Sequence, residues 1–198
     1  MNIAIKKAWI KKQKYFVEKY QSNTNGIFSK EESDTTKHVK DFLRLKKPAS
    51  ILDIGCGSAD IPAYIPDSLK KVYSGIDPLD IKRTYPCLVA PINEAAIKQA
   101  YDCILCISTL DHIAEPYQVA IKVKKWLKPN GYFILTIASY ENSTYQRFQN
   151  TGRYTEPDPN HVWHFNIKDI LRIFSNYKLI KAEHTILKQY IIIFQNAV

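Results

Sequence analysis

Apolar positions in the middle of this chain come in short dense runs, separated by polar and turn-forming residues. The runs at 50–54, 71–76, 87–90, 102–107 and 132–138 are too short for ordinary helices and are closed by Gly, Asp, Pro or Ser, which predicts strands. A stretch of helical period, about 117–127, stands between the last two and is stopped by Lys128, Pro129, Asn130 and Gly131. Strands alternating with helices form βα units, and βα units build a parallel sheet.

The flanks follow a different pattern. Ile5, Trp9, Phe16 and Tyr20 recur at helical spacing, and a polar loop with Gly26 follows at 21–30. Ser33 or Asp34 can then cap a helix bearing Val39, Phe42, Leu43 and Leu45, which Pro48 stops. The stretch 140–161, with Gly152, Pro157 and Pro159, reads as irregular, and a loop of that length is usually functional or mobile. A short helix at about 167–174 leads to two β-like runs, 178–184 and 189–194, too close together for a crossover helix. They are predicted to pair antiparallel, so that the last strand runs backwards.

The chemistry concentrates where the first strand ends. The segment Ile51-Leu52-Asp53-Ile54-Gly55-Cys56-Gly57 carries an acid and then two glycines spaced by one. Glycines here permit a sharp turn and a ligand close to the main chain. Twenty residues beyond Gly57, the second strand reaches Asp77. A carboxylate at that place accepts hydrogen bonds from ribose hydroxyls, so the two features predict a nucleoside-containing cofactor. A dinucleotide site would carry a third glycine three residues after Gly57, but Asp60 stands there. A carboxylate repels a pyrophosphate, whereas Asp53 and Asp60 suit a ligand with an amino group and a sulfonium. S-adenosylmethionine is therefore favoured over NAD.

The ordered motifs resemble those of class I S-adenosylmethionine-dependent methyltransferases, in particular the small-molecule branch. Asp53–Ala59 resembles motif I, D/E-x-G-x-G-x-G, with Ala59 in place of the third glycine. Asp77-Pro78 resembles the ribose-binding motif II, and Leu88–Glu94 stands where the family places its adenine-contacting turn, without the usual aspartate. Residues 101–108 resemble motif IV, 109–113 are similar to the frequent L-E-H-V turn, and 127–132 to L-K-P-G-G-x. The resemblance implies a Rossmann-like α/β fold: a mostly parallel seven-stranded sheet, an antiparallel last strand and helices on both faces. It further implies a helical lid or cap at 1–46 and a cofactor-binding domain at 47–198 within one globular unit. By the same resemblance, Asp53, Gly55, Cys56, Gly57, Asp77, Pro78, Ile92, Asn93 and Ser108 hold S-adenosylmethionine, which leaves as S-adenosylhomocysteine.

Methyl transfer from a sulfonium is an in-line displacement that depends on alignment and exclusion of water. A hydroxyl or protonated amine as acceptor also needs a base, a task that suits histidine. His112 follows the fourth strand, with Asp111 before it, and is the first catalytic candidate; the alternative is that it only caps or packs. The segment His161-Val162-Trp163-His164-Phe165 resembles the H-x-x-x-F turn that covers the acceptor pocket in many small-molecule methyltransferases. That makes His161 a catalytic candidate, beside His112 and Asp111, and also an acceptor contact with Trp163 and His164; Tyr140 is expected as a further acceptor contact, although Trp163 and Phe165 also read as plain core. The cysteines and histidines lack chelating spacing, so no metal is expected. Cys103 and Cys106 are three apart in a strand and face opposite ways, as buried small hydrophobes.

Composition adds bounds. The 198 residues are 45% hydrophobic and 24% charged, a globular composition of one-domain size. No run approaches the roughly 18 apolar residues of a membrane span, and lysines break the N-terminus where a secretion signal would be apolar, so a cytoplasmic protein is expected. The net charge is +9, and the first 20 residues hold six lysines against one glutamate. That segment suits either a solvated helix face or an attraction to nucleic acid. Base-directed enzymes carry D/N-P-P-Y/F after strand four; Ser108-Thr109-Leu110-Asp111-His112 stands there instead. The expectation is methylation of an oxygen or nitrogen on a small-molecule acceptor such as a sugar, lipid-linked compound or secondary metabolite. The alternatives are an RNA methyltransferase or a non-catalytic binding subunit of the same fold.

Overall fold

The computed structural model describes residues 33–57, 59–138, 163, 165–185 and 189–197. Helix α1 (Asp34–Lys46) begins where Ser33 Oγ accepts the Thr36 N–H at 3.1 Å, satisfying one of the orphan donors of a helix start. It ends at Lys47, whose left-handed backbone (φ 47°) lets its N–H return to the Leu43 carbonyl before Pro48. Then follow β1 (Ile51–Ile54), β2 (Tyr73–Asp77), β3 (Cys87–Val89), β4 (Tyr101–Ile107), α2 (Pro116–Trp126), β5 (Leu127–Ala138), α3 (Ile167–Ile173), β6 (Lys178–His184) and β7 (Gln189–Gln195).

The strands form one seven-stranded sheet in the order β3-β2-β1-β4-β5-β7-β6. The pairs from β3 to β5 are parallel, and β7 is antiparallel to both of its neighbours. The Rossmann-like expectation, reversed last strand included, therefore holds. Both faces are apolar, as a sheet covered on both sides requires. Val39 and Leu43 of α1 pack over Ile51, Cys103 and Leu105, while Val119, Val123 and Ile170 of α2 and α3 pack over Leu52, Ile104 and Cys106. Cys103 and Cys106 thus lie on opposite faces, as the strand period dictates.

The βα alternation is incomplete. Among the described residues no α-helix joins β1 to β2, β2 to β3 or β3 to β4, and the first link carries only a 3-10 turn, Asp67–Val72. Prolines explain this: Pro62 and Pro66 in the first link, Pro78 and Pro86 in the second, and Pro91 in the third. Each removes a backbone donor and disfavours helix in the residue before it. Tyr64, Ile65 and Leu69 fill the space beside α1 instead. Strand β5 also starts earlier than its predicted 132. Leu127 pairs with Tyr101, and the ladder resumes at Cys103 and Tyr132 after an irregularity in which Asn130 takes φ 61°. No described helix is long and apolar enough to cross a membrane.

Candidate active site

The strand order reverses between β1 and β4, and ligands of open α/β sheets bind outside the carboxyl ends at such a point. Gly55 (φ 73°) and Gly57 (φ 58°) turn the chain there in the left-handed region. The Gly55 N–H bonds the Ile76 carbonyl at 2.8 Å, and the Gly57 N–H bonds Asp77 Oδ2 at 2.9 Å, so the glycine loop is tied to β2. Asp77 Oδ1 accepts the Leu79 N–H at 2.8 Å and faces Arg83 Nη2 at 3.5 Å. Burial nevertheless holds the Asp77 carboxyl above its ordinary value, against the pull of the Leu79 and Gly57 amides and the Arg83 charge. A carboxylate has about four acceptor sites, so capacity remains at Asp77. Ribose hydroxyls donating to it would offset the desolvation, and the residues fit a nucleoside group.

The turn after β4 forms the opposite wall. Ser108 takes φ 47°, its N–H shared between the Thr136 carbonyl (3.1 Å) and Thr136 Oγ1 (2.9 Å). Thr109 then crosses to the glycine loop, donating to the Ile107 carbonyl at 2.9 Å and reaching the Gly55 carbonyl at 3.4 Å. A Cβ at Gly55 would come within 2.9 Å of Thr109 Cβ. The missing side chain thus permits the contact between the two loops. The following 3-10 turn, Leu110–His112, buries Asp111 (side chain 3% exposed) and leaves His112 at 21%, with His112 Nε2 3.8 Å from Asp111 Oδ1.

A methyltransferase-domain family model matches residues 29–180, more than half of the chain. The chain belongs to that family. Its sheet order and donor loop are those of the class I S-adenosylmethionine-dependent methyltransferase fold. A ubiquinone biosynthesis O-methyltransferase of Rickettsia prowazekii (strain Madrid E) is 25% identical over 146 residues, which cover 66% of this chain and 49% of that protein. The chain spans about half the length of the curated relatives it matches. Among solved structures, Burkholderia thailandensis 1,6-didemethyltoxoflavin-N1-methyltransferase with bound S-adenosylhomocysteine has a TM-score of 0.69 at 12% identity, covering 100% of this chain and 92% of that one. The [4+2]-cyclase SpnF has a TM-score of 0.65 at 11% identity, covering 94% and 93%. These two share the fold.

The remaining expected site residues of the methyltransferase fall into distinct environments. Asp53 is fully buried beneath the glycine loop, where its Oδ2 accepts the hydroxyls of Tyr64 (2.5 Å) and Tyr73 (2.8 Å). Burial raises its pKa from 3.8 to about 6 against those two bonds, with a smaller push from the Asp77 charge. Those two bonds tie β1 to Tyr64 and to Tyr73 of β2. Tyr64 and Tyr73 were not foreseen; the only sequence signal was an acid inside an apolar strand, which demands buried partners. Cys56 is buried, Pro78 and Asn93 are exposed, and Ile92 packs into the core near Val119.

Trp163 lies in the core, stacked on Phe165 with centroids 6.0 Å apart. Its backbone N–H goes to the Asp111 carbonyl (3.0 Å) and its Nε1 to the Ile113 carbonyl (2.9 Å). Both donors are spent on the His112 turn, so the aromatic cluster positions that turn from behind. Tyr140, His161 and His164 lie outside the described residues. Gln189 was also missed. Its Nε2 reaches Ser108 Oγ at 3.5 Å and its Oε1 accepts Thr35 Oγ1 at 2.7 Å, linking α1 to the end of β4. Among the described residues no three of His, Cys, Asp or Glu gather as a metal site.

Proposed function

We propose that this chain methylates an oxygen or nitrogen of a small-molecule acceptor, with His112 as the base and Asp77 as the ribose anchor. The observation that carries the reading is Thr109, which joins the glycine loop to the His112 turn across the switch point. Thr109 thereby brings the donor loop and the turn that carries the base into contact. Bound S-adenosylmethionine supplies a methyl group on a sulfonium. Asp111 Oδ1, 3.8 Å from His112 Nε2, favours the protonated ring once His112 has taken a proton. Ser108, Gln189 and Thr35 would carry the cap segment 1–46 against the domain 47–198. The acceptor class is supported by relatives described as ubiquinone biosynthesis O-methyltransferases.

The test measures S-adenosylhomocysteine release with panels of phenols, amines, sugars, lipid-linked compounds and RNA. Turnover with RNA alone would overturn the acceptor class. His112→Ala is expected to lower kcat by about 100-fold or more, with S-adenosylhomocysteine affinity within about twofold. Wild-type turnover in this variant would remove His112 from the reaction. Asp77→Ala is expected to weaken S-adenosylhomocysteine binding by about tenfold or more in calorimetry, the size of a lost charged hydrogen-bond acceptor. Unchanged affinity would displace Asp77 as the anchor.

A further inference from the structure

Methyl transfer leaves a pair of thiols at the donor loop without a role. Cys56 stands between Gly55 and Gly57, and its Sγ lies 3.6 Å from the Sγ of Cys87, the first residue of β3; both thiols are free. Gly75 of β2, whose backbone pairs with Cys87, separates their chains. A Cβ at Gly75 would come within 2.8 Å of Cys56 Cβ. The missing side chain thus lets Cys56 lie across β2 and meet β3. A disulfide needs about 2.05 Å between sulfurs, so forming the bond from 3.6 Å draws Cys56 toward β3.

The surroundings divide the two thiols into different roles. Cys87 is partly exposed on an edge strand, while Cys56 is 4% exposed. Arg83 is buried close by; its Nη1 is held by the Leu79 and Ile81 carbonyls, whereas its Nε has no hydrogen-bond acceptor among the described residues. The Cys87 thiol is pulled below its ordinary value, first by the hydrogen bond with Cys56 and then by the Arg83 charge, while the same hydrogen bond and burial push Cys56 up. Cys87 is therefore the nucleophile and Cys56 the resolving thiol. Cys103 and Cys106, fully buried and pushed up by burial, have no such setting.

We propose that Cys56 and Cys87 form a reversible disulfide with a peroxide as oxidant, and that the disulfide weakens methyl-donor binding; the second half rests on the donor site proposed above. The Cys87 thiolate attacks one peroxide oxygen, the O–O bond breaks, and hydroxide leaves and is protonated to water. The Cys87 sulfenic acid that results is attacked at sulfur by Cys56. The S–O bond breaks, the S–S bond forms, and a second water departs with the Cys56 proton. In sum, two thiols and one hydrogen peroxide give a disulfide and two waters. A dithiol reverses the reaction by exchange and is itself oxidised. Drawing Cys56 toward β3 moves the backbone between Gly55 and Gly57 and disturbs the 2.9 Å bond from the Gly57 N–H to Asp77.

The experiment treats the reduced full chain with hydrogen peroxide. It then maps disulfide-linked peptides by mass spectrometry and measures S-adenosylhomocysteine affinity by calorimetry before oxidation, after it, and after dithiothreitol. A Cys56–Cys87 link with affinity reduced about tenfold, within the usual range for coupled sites, and restored by dithiothreitol is expected. Cys87→Ser should bind S-adenosylhomocysteine like the reduced wild type and ignore peroxide; Cys87→Ala, checked by thermal melting, serves if the serine disturbs folding. No Cys56–Cys87 link, or a link with unchanged affinity, would overturn the switch. Reduced protein that fails to bind S-adenosylhomocysteine would overturn the donor site, while the peptide map would still decide the disulfide.

Discussion

Asp53 shows how a motif residue can be held by buried partners. Its carboxyl, fully buried under the glycine loop, titrates at about 6 and not at 3.8, chiefly because burial disfavours the charge. The folded state then holds this proton more tightly than the unfolded chain. The group's contribution to stability is fully present below about pH 3.8 and is lost as the pH rises through about 6, up to ~3 kcal/mol. Asp53→Asn keeps an acceptor for Tyr64 and Tyr73 but cannot ionise. Between pH 4 and pH 7 the unfolding free energy of the variant should therefore rise by about 2–3 kcal/mol relative to wild type, read from urea midpoints at both pH values. A difference independent of pH would refute this. Gly55→Ala is expected to cost about 2 kcal/mol or more, from its φ of 73° and the overlap with Thr109, in the same urea assay. The glycines and acids were legible because local turn chemistry dictates them. Tyr64, Tyr73, Arg83 and the Cys56–Cys87 pair were not, because their contacts depend on how β1, β2 and β3 lie together.

At the level of elements, the strands and the helices α1, α2 and α3 were readable to within a few residues, since apolar period and caps are written locally. The links between the early strands were not read as helix-free, although Pro62, Pro66, Pro78, Pro86 and Pro91 carry that information. The pattern of βα units was given precedence over the breakers within it. The consequence is that the walls of the crevice come from turns, and turns need bracing. Trp163 braces the Leu110–His112 turn through the Asp111 and Ile113 carbonyls. Trp163→Phe keeps most of the ring and its packing on Phe165 but leaves the Ile113 carbonyl without its Nε1 donor. The expected loss is about 1–2 kcal/mol of stability. Turnover should fall while S-adenosylhomocysteine affinity holds, because the donor loop is braced separately through Asp77. Equal losses in kcat and donor affinity would show that the two walls move as one.

For the whole molecule, the open question is whether a chain of net charge +9 is built for a polyanion. Several of its described cations are matched locally: Lys70 with Asp67, Arg44 with Asp41, Lys128 with Asp102, Arg172 with Asp169 and Lys181 with Glu183. Arg83 is turned inward toward Asp77. The excess is instead marked in the first 20 residues, with six lysines against one glutamate. An acceptor held by phosphate contacts would displace counterions, and six or more such contacts lose about a thousandfold in affinity between 50 and 200 mM salt. A small acceptor enclosed between the glycine loop and the His112 turn displaces almost none. The predicted outcome is a kcat/KM for the small acceptor that changes less than about threefold over that salt range, since exposed charges at a distance are already screened. The control is RNA retention on a filter at both salt concentrations. Should kcat/KM fall with the steepness of RNA retention, the lysine-rich segment would be part of acceptor recognition and the acceptor would be a nucleic acid.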